Sequence, residues 1–213
     1  MASTTRRRST AADRRAVLEE RIVSALEELL RVGLTYTELS VEQIANAAGI
    51  SRSTFYLYFR DKVDVLLRVS GSLRARSYEI TRAWQPSGPD GGAEGLARTY
   101  ERIIRHYRQH AALLSAIHEV AAYDPVVRDS WADHQNRFID HLVTSLEAEQ
   151  RAGRTPADID PRLAATLIVQ GGGAVITRQA VGSDGGDDAL VARELAYGYW
   201  YGVYRRPAGR PTA

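Results

Sequence analysis

Apolar residues recur every three or four positions along most of the chain, which is the spacing of one buried helix face. The first such segment runs from about Arg14 to Gly33, and its apolar positions are Leu18, Ile22, Ala25, Leu26, Leu29 and Leu30. Further helices are predicted over residues 61–84, 93–109, 111–122, 125–153, 160–181 and 187–206. No segment alternates with the period of two that a half-buried strand needs. The pattern therefore predicts an all-α protein of about nine helices.

Residues 40–59 predict two short helices joined by a tight turn. Ser40 and Gln43 have the spacing of a capping box at the start of the first helix. Gly49 supplies the positive φ that a tight turn needs, and Ser51 caps the second helix. Two short helices joined by a glycine-containing turn form a helix-turn-helix, whose second helix enters the major groove of DNA.

The second of these helices has the side chains that a DNA-reading surface requires. Phe55 and Phe59 lie four residues apart and can pack inward. The residues predicted to bind DNA are Ser40, Ser51, Arg52, Ser53, Thr54, Tyr56, Tyr58 and Lys62. A bidentate contact from Arg52 to guanine would contribute roughly 1–3 kcal/mol of discrimination between bases. Lys62, in the first turn of the next helix, adds a cation for a phosphate group.

These residues resemble the TetR family of one-component transcriptional regulators. The matching positions, in order, are Ile44, Ala45, Ala48, Gly49, Ile50, Ser51, Thr54, Phe55, Tyr56, Tyr58, Phe59 and Lys62. The resemblance covers about residues 14–66, and residues 49–59 are most similar to the EthR-type branch. It implies that Arg52 and Thr54 read bases, and that Tyr56 and Lys62 bind phosphates. Val63 stands where many members have Glu, which changes local helix capping but not the fold.

The resemblance also implies a function for the second half of the chain. Its helices are expected to form a homodimer and to hold a small hydrophobic effector. The protein would then be a repressor that binds palindromic double-stranded operator DNA and is released by the effector. The alternatives are an activator of the same family, or a small-molecule-binding helical protein whose DNA-binding head is inactive.

Apolar stripes in the second half outline a candidate effector pocket, although such stripes are also typical of plain core. The predicted pocket residues are Tyr100, Ile103, Ile104, Tyr107, Leu114, Ile117, His118, Trp131, Gln135, Phe138, Leu142, Gln170, Gly171 and Trp200. Among them His118, Gln135 and Gln170 supply the few polar groups that orient a ligand in an apolar pocket.

Three consecutive glycines, Gly171, Gly172 and Gly173, interrupt a predicted helix. Each costs about 1 kcal/mol of helix stability relative to alanine, so the run needs a physical reason. Two reasons remain open at this stage, which are a close crossing of two helices and room for a ligand.

Basic charge is concentrated at the N-terminus. Residues 1–15 contain five arginines and one aspartate, a net +4, whereas the whole chain has a formal net charge of +2. The predicted organisation is a disordered basic arm (1–13), a helix-turn-helix domain (14–62), an effector-binding and dimerisation domain (63–206) and a tail (207–213). The arm is either a solubilising tail or a contact in the minor groove.

Several function classes are disfavoured by composition and by missing motifs. Cysteine is absent, which excludes disulfides and thiolate chemistry and favours a cytoplasmic location. No apolar run of about 18 residues predicts a membrane span. His106 and His110 have a metal-compatible spacing, but no His-Glu-x-x-His motif accompanies them, and we expect neither metal nor cofactor. Without a Gly-x-Ser-x-Gly motif or a Walker lysine, we expect no enzyme activity.

Overall fold

A computed structural model describes residues 11–205, and for residues 11–14 it describes the backbone alone. This part of the chain contains nine helices and no strand, when each π turn is counted with the helix that it interrupts or ends. The predicted all-α fold is therefore confirmed. Most of the predicted arm and the whole predicted tail lie outside the described residues. None of the helices between residues 11 and 205 has both the length and the apolar character of a membrane span.

The described residues form two compact units, which divide between Val69 and Ser70. The N-terminal unit contains α1 (Ala11–Arg31), α2 (Val41–Ala47) and α3 (Arg52–Tyr56). It also contains the first turns of α4 (Lys62–Arg82), a helix that continues into the C-terminal unit. Helix α1 begins before its predicted start at Arg14.

Serine side chains determine where α2 and α3 begin. The Ser40 Oγ accepts a hydrogen bond from the Gln43 N–H, and the Gln43 Oε1 accepts one from the Ser40 N–H, so the predicted capping box is confirmed. The Ser51 Oγ accepts the Thr54 N–H at 3.1 Å in the same way. Each cap satisfies a backbone donor that the first turn of a helix would otherwise leave without a partner.

The core of the N-terminal unit draws one side of every helix inward. Six side chains from its four helices have no exposed surface: Ile22, Leu26, Ile44, Phe55, Val65 and Leu66. Burial of such a side chain contributes about 1.5–3 kcal/mol. With only five residues, α3 is too short to be stable alone, so its position depends on this packing.

The C-terminal unit contains the end of α4 and five further helices. The first three of these are α5 (Gly92–Gln109), α6 (Ala111–Ala121) and α7 (Pro125–Arg151). The predicted start signal of α7 is confirmed, since the Asp124 carboxylate accepts the N–H groups of residues 126 and 127 and proline follows it at the first helical position.

Two π turns distinguish the last two helices. Helix α8 consists of Pro161–Leu167, a π turn at Ile168–Gly172 and Gly173–Gly182. Helix α9 consists of Asp188–Tyr199 and a final π turn at Trp200–Tyr204. The sequence predicted both helices but neither π turn. A π turn adds about one residue to a single turn of a helix, and this changes the spacing of the apolar residues too little to be detected in the sequence.

Arg108 of α5 holds the connection between α8 and α9. Its guanidinium donates to the carbonyl oxygens of Gln179 at 2.9 Å and Ala180 at 3.4 Å, and also to that of Ser183. It forms an ion pair with the Asp188 carboxylate in the first turn of α9. One half-buried side chain thus anchors the end of one helix and the beginning of the next.

The glycine run of α8 lies against Tyr199 of α9. A Cβ atom at Gly172 would lie 3.0 Å from the Tyr199 Oη and 3.2 Å from its Cε2, closer than such contacts normally are. A Cβ atom at Gly173 would meet no atom within 4 Å. The Tyr199 hydroxyl donates to the Ile168 carbonyl at 3.4 Å, at the start of the π turn. Gly172 therefore permits a close helix crossing, whereas Gly173 borders open space.

This difference predicts opposite effects for two adjacent substitutions. Gly173→Ala is expected to raise the free energy of unfolding by up to about 1 kcal/mol, because alanine has the higher helix propensity and the site has room. Gly172→Ala is expected to lower it, because the Tyr199 ring must move. Urea denaturation followed by circular dichroism measures both values. Equal changes at the two positions would contradict this account of the glycine run.

Candidate DNA-binding surface and ligand cavity

Helix α3 is held by aromatic packing on one side and exposes polar groups on the other. Phe55 is fully buried and Phe59 nearly so, and their ring centroids lie 5.7 Å apart. Arg52, Ser53 and Tyr56 are exposed. The residues predicted to pack inward are therefore buried, and these three residues predicted to face DNA are exposed on the other side.

The exposed groups of α3 can bind both phosphates and base edges. The Arg52 guanidinium lies over the Tyr56 ring, 5.7 Å from its centroid, which brings a cation and a phenol together. Tyr58 is half-buried, and the Arg15 guanidinium lies 5.6 Å from its ring centroid. A guanidinium offers paired donors to a phosphate or to guanine, and a phenol offers one donor.

Several predicted DNA contacts have structural partners within the N-terminal unit. The Ser51 Oγ lies 2.8 Å from the Ser53 Oγ and 2.8 Å from the Thr54 Oγ1, in addition to its capping bond. The Ser40 Oγ lies 2.9 Å from the Gln43 Oε1. These hydroxyls organise the starts of α2 and α3, and their contact with DNA stays a prediction.

Lys62 is held by the protein itself. Its ammonium donates to the carbonyl oxygens of Tyr36 at 2.9 Å, Thr37 at 3.1 Å and Leu39 at 2.8 Å, and it lies 4.8 Å from the centroid of the Tyr36 ring. An ammonium has three protons to donate. The geometry therefore favours a structural role for Lys62, fixing the segment between α1 and α2, over the predicted phosphate contact.

The turn between α2 and α3 has the left-handed geometry that the sequence predicts. Gly49 has a φ of +65°, a conformation that costs other residues about 1–2 kcal/mol. Arg21 of α1 donates to the Ala48 carbonyl at 2.6 Å, at the end of α2. A Cβ atom at Gly49 would lie 2.9 Å from the Arg21 Nη2. Glycine is required here both by the backbone and by this neighbour.

The C-terminal unit encloses a cavity of about 250 Å³ among α5, α6, α7, α8 and the end of α4. Nine residues predicted for an effector pocket line it: Tyr100, Ile103, Tyr107, His118, Trp131, Gln135, Phe138, Leu142 and Gln170. A designed apolar cavity of about 150 Å³ holds benzene, so this one has room for a larger molecule. Its use as an effector site stays a prediction.

Five predicted pocket residues do not line the cavity. Ile104, Leu114 and Ile117 are at most 2% exposed and belong to the packed core. Trp200 packs against Tyr204, with ring centroids 5.2 Å apart, and Gly171 is exposed. An apolar stripe in the sequence cannot distinguish residues that line a cavity from residues of the packed core. Successive residues of a helix point about 100° apart, so they meet different neighbours that the sequence does not specify.

Twelve lining residues were not predicted from the sequence: Thr81, Trp84, Leu96, Thr99, His134, Ile168, Val169, Gly172, Gly173, Ala174, Ile176 and Thr177. One of them had a usable signal. His134 follows Trp131 by three residues and precedes Phe138 by four, so it shares their helix face. Thr81 and Trp84, at the end of α4, reach the cavity only through long-range packing, which leaves no local sequence signal.

His134 is a buried polar residue of the cavity wall. It is 5% exposed, and within residues 15–205 its Nε2 has no hydrogen-bond partner. Its ring lies 5.3 Å from that of Trp131 and 4.8 Å from that of Phe138. Burial, together with the positive charges of Arg74 and Arg137, lowers the pKa of His134 to about 3. The imidazole is therefore neutral at neutral pH.

The histidine pair His106 and His110 does not form a metal centre with its surroundings. The two rings lie 5.3 Å apart, and the His106 Nε2 is within hydrogen-bond distance of the Leu73 carbonyl, at 3.1 Å. Among the residues that the structure describes, no cluster of three or more histidine or acidic side chains could hold a metal ion.

Known protein families match both units. Residues 22–69 match the family model of bacterial regulatory proteins of the tetR family, and residues 96–191 match that of the C-terminal domain of the transcriptional regulator EthR. The HTH-type transcriptional regulator EthR of Mycolicibacterium smegmatis is 30% identical over 149 residues, which cover 66% of this chain and 64% of that protein. The aligned part is thus slightly less than two thirds of the relative's length.

Solved structures have the same fold. Salmonella enterica GusR superposes with a TM-score of 0.70 at 21% identity, over 90% of this chain and 97% of that one. Thermus thermophilus FadR, a TetR-family transcriptional repressor in complex with lauroyl-CoA, superposes with a TM-score of 0.58 at 22% identity, over 92% and 100% of the two chains. These superpositions show the fold, and the two family matches together with the EthR relative support a regulator of the tetR family that is EthR-like.

Proposed function

We propose that this protein is a transcriptional repressor that binds double-stranded operator DNA as a homodimer and leaves the DNA when a small apolar effector occupies its cavity. The observation that carries this proposal is the surface of α3, where Arg52, Ser53 and Tyr56 are exposed while Phe55 and Phe59 fix the helix to the core. Arginine and hydroxyl groups on a helix of a helix-turn-helix are suited to the major groove.

Large apolar side chains are exposed at the end of α3 and at the residue that follows it, and these also favour a DNA partner. Tyr56 is 46% exposed and Leu57 is 76% exposed. A leucine at that position can contact a thymine methyl group, which is a base-specific apolar contact. An inactive head would gain nothing from such exposure, so this surface argues against a helical binding protein that has lost its DNA function.

The cavity supports an effector response. Its wall is mostly aromatic and aliphatic, with a few polar groups, which is the usual composition of a small-molecule site. The structurally similar FadR of Thermus thermophilus was solved with lauroyl-CoA bound, and this supports a ligand-binding role for the C-terminal unit. An effector that binds one conformation of the dimer more tightly than another shifts the population away from the DNA-bound form.

An exposed apolar face on α8 and α9 supports dimer formation. Half of the large apolar side chains that are exposed between residues 15 and 205 belong to these two helices: Leu163, Leu167, Val175, Val181, Leu190 and Tyr201. Leu163 and Leu167 are separated by four residues, so they share one side of α8. Two helices from each copy would form a two-fold symmetric interface, which a palindromic operator requires.

Substitution of Arg52 tests the DNA-binding surface. Arg52→Ala is expected to weaken binding to the operator by about tenfold to a hundredfold, which corresponds to the roughly 1–3 kcal/mol of a bidentate guanine contact. Fluorescence anisotropy with DNA from the intergenic region beside the protein's own gene measures the affinity, with a scrambled duplex for comparison.

Arg31 provides the matched control for this experiment. It is an exposed arginine of the same unit, on α1, and it forms an ion pair with Glu28 at 2.7 Å. Arg31→Ala removes the same charge and is expected to change the affinity less than threefold. Equal losses in the two variants would mean that only overall charge matters, and the proposed role of α3 would then be wrong.

Substitution of Leu167 tests the dimer interface. Leu167 is 61% exposed, and Leu167→Glu places two carboxylates in a symmetric apolar contact. The dissociation constant of the dimer is expected to rise at least tenfold, about 1.4 kcal/mol, as measured by sedimentation velocity. Val126, 56% exposed on α7, is the control, and Val126→Glu should leave the dimer intact. A Leu167→Glu protein that remains fully dimeric would exclude this face.

A further inference from the structure

The cavity of the C-terminal unit lacks ionised side chains. Its wall consists of 21 residues, and none of them is aspartate, glutamate, lysine or arginine. Two tyrosines line it, and burial raises the pKa of Tyr100 and of Tyr107, so both phenols are protonated. His134, whose titration lies far below neutral pH, is an uncharged imidazole. A bound molecule therefore meets a wall without counter-charges.

The nearest guanidinium groups do not line the cavity, and both have other partners. Arg74 donates to the Ser70 carbonyl at 3.2 Å and to the carbonyl and hydroxyl oxygens of Ser130 at 2.8 Å and 2.5 Å. The Arg137 guanidinium lies over the Tyr78 ring, 4.7 Å from its centroid. Their positive field repels a bound cation, while neither guanidinium lines the cavity, where it could pair with a bound anion.

Uncharged polar groups of the wall remain available to a ligand. The hydroxyls of Thr81 and Thr99 donate to the carbonyl oxygens of residues 77 and 95 within their own helices. Across residues 15–205, by contrast, no hydrogen bond involves the amide of Gln135 or the hydroxyl of Thr177, which lie half-buried in the wall. An amide can both donate and accept, so it suits a neutral hydroxyl, carbonyl or ester group.

We propose that the effector is an uncharged molecule, larger than benzene, with an apolar body and a neutral hydrogen-bonding group that contacts Gln135. This inference rests on the proposed effector role of the cavity and specifies the chemical class of its ligand. An ion that enters loses its hydration without gaining a partner of opposite charge, which is far costlier than the transfer of a neutral polar group that forms one hydrogen bond.

Three ligands with one carbon skeleton test this selectivity: 4-phenylbutan-1-ol, 4-phenylbutanoate and 4-phenylbutylammonium. At pH 7.5 they are neutral, anionic and cationic. Trp84 and Trp131 line the cavity, so quenching of tryptophan fluorescence in the full chain reports binding. We expect the alcohol to bind at least a hundredfold more tightly than either ion. Anisotropy of an operator duplex, recorded in parallel, reports release of the DNA.

Two substitutions at Gln135 assign the selectivity to the wall. Gln135→Glu changes the charge with almost no change in shape, and it is expected to tighten binding of the ammonium ligand at least tenfold. Gln135→Leu, the neutral control, is expected to weaken binding of the alcohol about tenfold, and binding of both ions is expected to remain weak. Circular dichroism verifies that each variant is folded, and the near-identical shape of glutamate gives an interpretable variant if leucine disturbs the fold.

The outcomes separate this inference from the proposed function. If the butanoate or the ammonium ligand binds the unmodified protein as tightly as the alcohol, the inference is overturned; the proposed function survives if that ion releases the DNA. If the alcohol binds selectively but the DNA stays bound, the ligand class stands and the effector response is wrong. If none of the three ligands binds, the inference is overturned, whereas operator binding in the absence of ligand still tests the DNA-binding part of the proposed function on its own.

Discussion

The close approach of Tyr199 to the backbone of Gly172 is the contact on which the C-terminal unit depends. The same phenol packs edge-on against Tyr100, with ring centroids 6.3 Å apart, so one side chain of α9 contacts both α5 and α8. The Tyr199 hydroxyl donates to the Ile168 carbonyl, at the first residue of the π turn. Since Tyr100 and Gly172 also line the cavity, the contact that joins three helices shapes the cavity wall.

The helices could be predicted because their starts are marked by local chemistry. Ser40 with Gln43, Asp124 before proline and Asp160 before proline each place an acceptor where a helix leaves backbone donors without partners. Those signals depend on neighbouring residues alone, so a single sequence contains them. The π turn within α8 has no such local signal, and it lies where α8 contacts Tyr199, a residue of the next helix.

The cavity could be predicted only in part, for a geometric reason. Ile103 and Ile104 are adjacent, equally apolar and both buried, yet only Ile103 lines the cavity. Which of the two does so depends on the angle at which α5 meets its neighbours, and no periodicity specifies that angle. Lys62 illustrates the same limit with a polar residue. Its position in the motif suggested a phosphate contact, whereas the structure gives it three backbone carbonyls from the segment between α1 and α2.

The positions of the arginines, more than their number, determine which ligands the two proposed sites can bind. The chain contains 27 arginines and a single lysine, but 26 acidic residues leave a formal net charge of only +2, so the number of arginines by itself indicates no anionic ligand. On α3 an arginine is exposed beside a phenol, where a phosphate or a guanine can reach it. Around the cavity, Arg74 and Arg137 lie behind the wall and bind backbone, hydroxyl and aromatic groups. The same residue type therefore favours a polyanion at one proposed site and disfavours a cation at the other.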